Sequence, residues 1–478
     1  MAMARKRGFA RDLCRFRRGA APGSGAMNRH LEEEFSDWLK SRRVGEVECL
    51  VPDMGGIARG KILPTNKFLS GMRNGTLRLP ISIFGQMVTG ADAETEILTY
   101  QSPDVNLVPD IETLRIVPWY KDPTAQVICE CQHQGGEMVE FAPRAVLKRV
   151  MRLYEERDWR PVVAPELEFF LAAKNIDPDY PLLPPAGKTG RPQTGRQAYG
   201  IDAVNEFDPL FEDVYDYCEA QDIGIDSLIH EEGVAQVEIN FNHGDPVALA
   251  DQTFLFKRTV RQAALRHDIY ATFMARPYEQ EPGSAMHIHQ SVVDTKRGRS
   301  LFATKSGKDT RLFLAHIAGL QRHLPAAMPL IAPFVNSYRR LVRFLSAPIN
   351  THWGHENRTV GLRVPVSDAQ NRRVENRVPG ADANPYLAIA ASLVCGYLGM
   401  VENLAPTKSM EGNAYESTRY QLPRHILDAV AKFRASGDLR EALGEMFVLL
   451  YSDVKASEHD AYQQVISPWE RQHLLLNV

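Results

Sequence analysis

Apolar and polar residues along this chain alternate with a period of two or recur at helical spacing, and several alternating runs carry ionisable groups on one face. Residues 162–171, Val-Val-Ala-Pro-Glu-Leu-Glu-Phe-Phe-Leu, read as a buried strand. Strand side chains alternate between faces, so Glu166 and Glu168 point one way and Leu167 and Phe169 the other. Two neighbouring carboxylates on an apolar strand repel each other and resist desolvation unless a cation lies between them. Taken alone, the pair also fits a half-exposed sheet face.

The same construction recurs downstream. Gln236, Glu238 and Asn240 form the polar face of a strand that follows His230, Glu231 and Glu232. His287, His289 and Ser291 alternate with apolar Met286 and Ile288, and Arg373, Glu375 and Arg377 share one face of a short strand. Residues 358–363 add Arg358 and Arg363. Together these runs predict a curved sheet whose polar inner face holds carboxylates, imidazoles and guanidiniums. That set suits hard divalent cations bound by oxygen, beside phosphates held by arginine forks.

Helical spacing predicts helices over residues 30–42, 145–158, 209–221, 246–267, 310–323 and 385–404, with two more at 423–436 and 439–451 as a C-terminal cap. Pro143 stands at a first-turn position before the second of these. Residues 49–61 read as strand, turn, strand. Residues 174–200, rich in Pro and Gly, predict a long surface loop near the active site or at a subunit contact.

Composition narrows the class without naming the chemistry. A chain of 478 residues can hold two or three domains. A net charge of -3 gives no reason to expect nucleic-acid binding. The six cysteines (Cys14, Cys49, Cys129, Cys131, Cys218 and Cys395) lack the spacing of a zinc site and fit the reduced thiols of a cytoplasmic protein. The uncharged stretch 385–401 predicts a buried helix rather than a membrane span. Residues 1–26 carry seven Lys and Arg against the single acid Asp12 and have no apolar core, so no secretory signal is expected there. A disordered tail, or a reading frame begun upstream of Met27, is expected there in preference to an organellar transit peptide.

Six motifs occur in one order over more than 200 residues: Pro165-Glu166-x-Glu168, Glu231 with Glu238, Met286-His287-x-His289-x-Ser291, Asn336-Ser337-Tyr338-Arg339-Arg340, Asn357-Arg358 through Arg363-Val364-Pro365, and Arg373-Val374-Glu375-x-Arg377 before Asn384-Pro385-Tyr386. In this the chain resembles the glutamine synthetase family from about residue 30 onward. The resemblance implies an α+β fold. It has a small N-terminal β-grasp-like domain (27–135) and a large catalytic domain (136–478) with a curved antiparallel sheet flanked by helices. It also implies Mg2+ or Mn2+, two or more per site, with ATP as co-substrate. Glu168, Glu231 and Glu238 resemble the ligands of one ion, and Glu166, His287 and Glu375 those of a second. Glu232, beside Glu231, could serve in its place. By the same resemblance His289, Ser291, Arg363 and Arg373 contact the nucleotide, and Arg358 meets phosphate in catalysis. Gly283, Arg340 and Arg377 hold L-glutamate. Asp53, supplied by a neighbouring subunit, helps bind and deprotonate the amine, although on local sequence it equally reads as a turn aspartate. A homo-oligomer is implied, a dodecamer of two stacked hexameric rings.

The chain departs from glutamine synthetases proper where the flap glutamate that attracts ammonium is expected. Ser346 stands at that position, Arg343-Phe344 replaces the Pro-Gly before it, and Pro282 replaces a loop asparagine. A small hydroxyl in place of a carboxylate predicts less charge and more room, suited to an alkylamine. Trp353-Gly354-His355-Glu356-Asn357-Arg358 further resembles the γ-glutamylpolyamine and γ-glutamylputrescine synthetase branch. The expected reaction joins L-glutamate to a polyamine or diamine such as putrescine through γ-glutamyl phosphate. The alternatives are ammonium as nucleophile, a monoamine, and a non-catalytic family member.

Overall fold

A computed structural model of the chain describes residues 26–478 except Tyr100 and Phe344, with the backbone alone for 26–30. Residues 1–25, including Cys14 and nearly all of the expected tail, lie outside the described residues.

The N-terminal third is built on a six-stranded sheet. Glu46–Pro52 pairs in parallel with Thr124–Gln132 and antiparallel with Ala58–Pro64. The latter pairing is the hairpin expected at 49–61. Asp53 closes its turn: one carboxylate oxygen accepts the backbone N–H groups of Gly55 and Ile57 at 2.9 and 2.8 Å. Helix Thr65–Asn74 packs on this sheet and on helix Ala26–Ser41, with Phe35 edge-on to Phe68 at 5.6 Å.

The larger sheet has nine strands, ordered Trp353–His355, Leu362–Val364, Val374–Asn376, Met286–Asp294, Trp159–Ala173, Gln236–Phe241 and Ile225–His230, with two short strands off this path. Every pairing is antiparallel except that of Trp353–His355 with Leu362–Val364. The curved antiparallel sheet expected from the sequence is present, with that one parallel pairing at its edge. The run expected over 358–363 is also mostly turn: the Asn357 side chain accepts from the backbone N–H and hydroxyl of Thr359 at 2.9 and 2.7 Å and bends the chain before the strand begins.

Helix Pro143–Glu155 starts at its proline and buries Val146, Leu147, Val150, Met151 and Tyr154, a 3.6-residue stripe. Helix Arg311–Ile331 runs past its expected end at His323, through Pro325 and Pro329. Proline removes one backbone donor. The Gln321 carbonyl that Pro325 leaves unpaired accepts the Thr351 hydroxyl at 3.3 Å. This helix lies along Pro385–Glu402 so closely that a Cβ on Gly319 would sit 2.7 Å from the Gly399 Cα. Pro385–Glu402 is apolar and long enough to cross a membrane by composition, and the fold buries it as a core helix. The helix expected at 439–451 is two, Gly437–Leu443 and Glu445–Gln463, broken at Gly444, whose φ of 102° disfavours any side chain.

One hydrophobic core runs from Phe35 to Val454, across the expected boundary at 135/136. Buried Arg144 ties the two regions, donating to Asp251 at 3.0 and 2.9 Å and to Asp110 at 2.7 Å, and pairing with Glu130.

Candidate active site

Cross-strand register assembles the site from distant parts of the chain. Glu166 lies opposite His287 on one neighbouring strand and Asn240 on the other, and Glu168 lies opposite Glu238. Glu375 lies opposite His289 and Arg363. Glu166, His287 and Glu375 each bring a ligand atom within 4.8 Å of the others, and so do Glu168, Glu238 and His287. The first group is the second ion set expected above. In the other set the tight group contains His287 where Glu231 was expected. Glu231 lines the same cavity, and its carboxylate accepts the Glu232 backbone N–H at 3.1 Å.

Burial pushes the Glu168 carboxyl up to about 8, with the charge of Glu231 adding to it. Burial pushes Glu238 up to about 9, reinforced by Glu166, Glu168 and Glu231. Glu231 is raised by burial as well. Like charges facing each other across a sheet repel, so these groups oppose one another's ionisation. Glu166 moves the other way. Burial alone would raise it, but hydrogen bonds from His287 at 3.2 Å and His289 at 2.5 Å hold it well below the usual carboxylate range. Burial and the nearby Arg377 lower His287 to about 4, leaving its imidazole neutral near pH 7. Neutral imidazole beside buried carboxylates whose repulsion is only partly offset is a donor set that fits a hard divalent cation.

The tautomer of His289 follows from its partners. Arg373 Nε can only donate, so His289 Nδ1 accepts from it at 3.1 Å. The ring proton is therefore on Nε2, directed at Glu166. Glu375 is bracketed by Arg377 at 2.5 Å and Arg363 at 2.9 Å. Burial would raise its carboxyl, but Arg377, with His287 and His289, outweighs burial and keeps it below the ordinary value.

Two cavities meet at Glu166. One, of about 750 Å³, is lined by His289, Ser291 and Arg373. The other, of about 650 Å³, is lined by Glu168, Glu231, Glu238, His287, Gly283, Arg340, Arg358, Arg363, Glu375, Arg377 and Ser346. Arg363, expected with the nucleotide group, faces the second cavity. Arg340 is buried, its guanidinium fixed by the carbonyls of Val378 at 2.8 Å and Arg377 at 3.0 Å. Exposed Arg358 donates to the Tyr199 hydroxyl at 3.4 Å. At Gly283 a Cβ would lie 2.4 Å from the Ala275 carbonyl and 2.5 Å from the Arg340 Cγ. The protein itself already forbids a side chain there.

Ser346 sits at φ 58° and its hydroxyl donates to the Glu232 carboxylate. Ser346 itself carries no charge, as expected, but its hydroxyl reaches a carboxylate from a distant strand connection, Glu232, which lines the same cavity. Asp53 lies on neither cavity. It is 1% exposed and bound by Arg59 at 2.7 Å.

Two functional residues are not marked by the sequence motifs: Glu232, which they suggest only as a substitute ligand, and Gln236, whose amide donates to Glu168 at 3.3 Å and to the Gly283 carbonyl at 3.1 Å. Its place on the polar strand face was the available signal. Tyr199 and Tyr415, which also line the second cavity, come from loop and short-turn segments where no periodicity marks them.

Comparison with known proteins agrees with this geometry. Residues 140–474 match the glutamine synthetase catalytic domain. The γ-glutamylputrescine synthetase PuuA of Escherichia coli K12 is 36% identical over 438 residues, covering 90% of this chain and 92% of that protein. The glutamate–isopropylamine ligase of a Pseudomonas species is 30% identical, covering 91% and 95%. A ligand-free structure of GmaS superposes with a TM-score of 0.78 at 26% identity, covering 92% of this chain and 98% of that one. A catalytic-domain match over most of the chain, relatives matched nearly end to end and a cation-demanding sheet face agree: the chain belongs to the glutamine synthetase family.

Proposed function

We propose that this protein joins L-glutamate to an organic diamine or polyamine such as putrescine, at the expense of ATP. The supporting observation is the placement of Glu166. It forms the shared wall of the two cavities, within a carboxylate cluster that lacks enough cationic charge of its own.

In this reading the nucleotide occupies the cavity of His289, Ser291 and Arg373, and glutamate occupies the cavity of Gly283, Arg340 and Arg377. An oxygen of the glutamate γ-carboxylate attacks the terminal phosphorus of ATP, forming an O–P bond and releasing ADP. In this reading Arg358 and Arg363, both on the lining of the second cavity, offset the phosphoryl charge. The amine nitrogen then attacks the acyl carbon, the C–N bond forms, phosphate leaves, and the ammonium proton passes to a carboxylate. Asp53 can be that base only if a neighbouring copy presents it, since its own chain keeps it off both cavities. Sharing of this kind belongs to the ring-built homo-oligomer. Glu166, His287 and Glu375, and Glu168, Glu231 and Glu238 with His287, would hold Mg2+ or Mn2+. Bound there, such ions screen the repulsion between anionic nucleophile and anionic phosphate.

Nucleophile choice rests on the flap. Ser346 stands where a flap glutamate is expected, and Leu345 and Ile229 add apolar side chains to the cavity lining, which suits an alkyl chain better than bare ammonium. The relative with the highest identity quoted above carries putrescine in its name. A panel of amines assayed by glutamate-dependent phosphate release should rank putrescine-like amines above ammonium. Preference for ammonium over every organic amine would overturn the reading.

A further inference from the structure

We infer that Glu232 is the anchor for the non-reacting ammonium of the amine, and that it sets the preference for dications over monoamines. The inference rests on the amine-ligase reading above and assigns the second charge of that substrate. Glu232 is exposed on the wall of the second cavity, next to the loop of Ser346. Its carboxylate accepts the Ser346 hydroxyl, and among the described residues no Lys, Arg or His pairs with it within 4.0 Å. Arg363 and Arg377 on the same wall are instead committed to Glu375.

An exposed carboxylate on the cavity wall, with no cationic side chain paired to it and outside the tight ligand groups, can pair with an ammonium that arrives with the substrate. The neighbours fit a diamine. Half-buried Ile229 and Leu345 on the cavity lining offer apolar surface for a short alkyl chain. Tyr415 lines the same cavity, and an aromatic ring on that wall suits an ammonium. Ser346, held in the left-handed region, fixes one carboxylate oxygen and leaves the other for the ligand. Glu232 lies outside both tight ligand groups, which separates this role from metal binding.

Glu232→Gln keeps the shape and removes the charge at an exposed position. With the full-length protein, kcat/KM is measured for 1,4-diaminobutane and for butylamine, which share the chain and differ in the second nitrogen. Removing a charge-assisted hydrogen bond from a partly enclosed site costs about tenfold or more in affinity. The diamine-to-monoamine ratio should therefore fall at least about tenfold in Glu232→Gln, through KM for the diamine, and fall less in Ser346→Ala. Equal losses with both amines, or a wild-type enzyme indifferent to the second nitrogen, would overturn the assignment while leaving the ligase reading intact. A loss of Mn2+ affinity in Glu232→Gln would overturn it in favour of a ligand role. Failure of every organic amine with the wild type would reject the ligase reading itself.

Discussion

Removing the divalent ions should expose the electrostatic problem that the sheet face creates. Without them, Glu168 and Glu238 are protonated near neutrality, because burial and mutual repulsion lift them from 4.5 to about 8 and about 9. At roughly 1.4 kcal/mol per tenfold, each shift opposes ionisation by on the order of 5 kcal/mol. A bound cation needs both groups ionised, so its binding expels close to two protons, while neutral His287 releases none. Between pH 6 and 7 the affinity for Mn2+ should rise nearly 100-fold, levelling off above pH 9. Ordinary carboxylates would give no rise in that range. Titration calorimetry at pH 7 in two buffers of different ionisation enthalpy counts the protons directly. Thermal unfolding adds a second measurement. Carboxyl groups raised on folding hold protons that the unfolded chain has already released, so the stability they confer is lost as pH rises from about 5 through 9. Metal-free protein should therefore melt lower at pH 9 than at pH 6, and saturating Mn2+ should abolish the difference. No proton release and a flat pH dependence would refute the reasoning.

Three further outcomes are expected. Gly283→Ala should lower stability by about 1–3 kcal/mol by thermal or denaturant unfolding, because the new Cβ collides with the Ala275 carbonyl and displaces Arg340; unchanged stability with normal glutamate KM would contradict the packing. Ser346→Glu should place a second carboxylate against Glu232 and impair amide formation with putrescine-like amines more than hydroxylamine trapping of the acyl phosphate; equal losses in both would show that the flap supports the whole site. Mixing Asp53→Ala with Glu238→Gln subunits should restore part of the activity if sites are shared, and an active monomer by light scattering would exclude sharing.

Much of the site was legible because strand alternation is a local rule. Glu166 with Glu168, His287 with His289, and Glu375 between two arginines could be placed on faces from their spacing alone. Most helices were legible for the same reason, since an apolar stripe records which face is buried. Register was not legible. That Glu168 faces Glu238, and that His287 enters both ligand groups, depends on how strands separated by many residues pair. Residues whose backbone partners come from elsewhere also escaped. The Arg311–Ile331 helix survives its prolines because Thr351 covers an orphaned carbonyl and a second helix packs against glycines. Asp53 reads as a turn residue or a catalytic one, and within one chain the fold gives it the turn. The clearest case is Glu232. Its hydrogen bond with Ser346 spans 114 residues, and only the folded chain shows that a carboxylate missing from the flap is present beside it. Local pattern records which way a side chain points, whereas what it meets is set by the packing of distant segments.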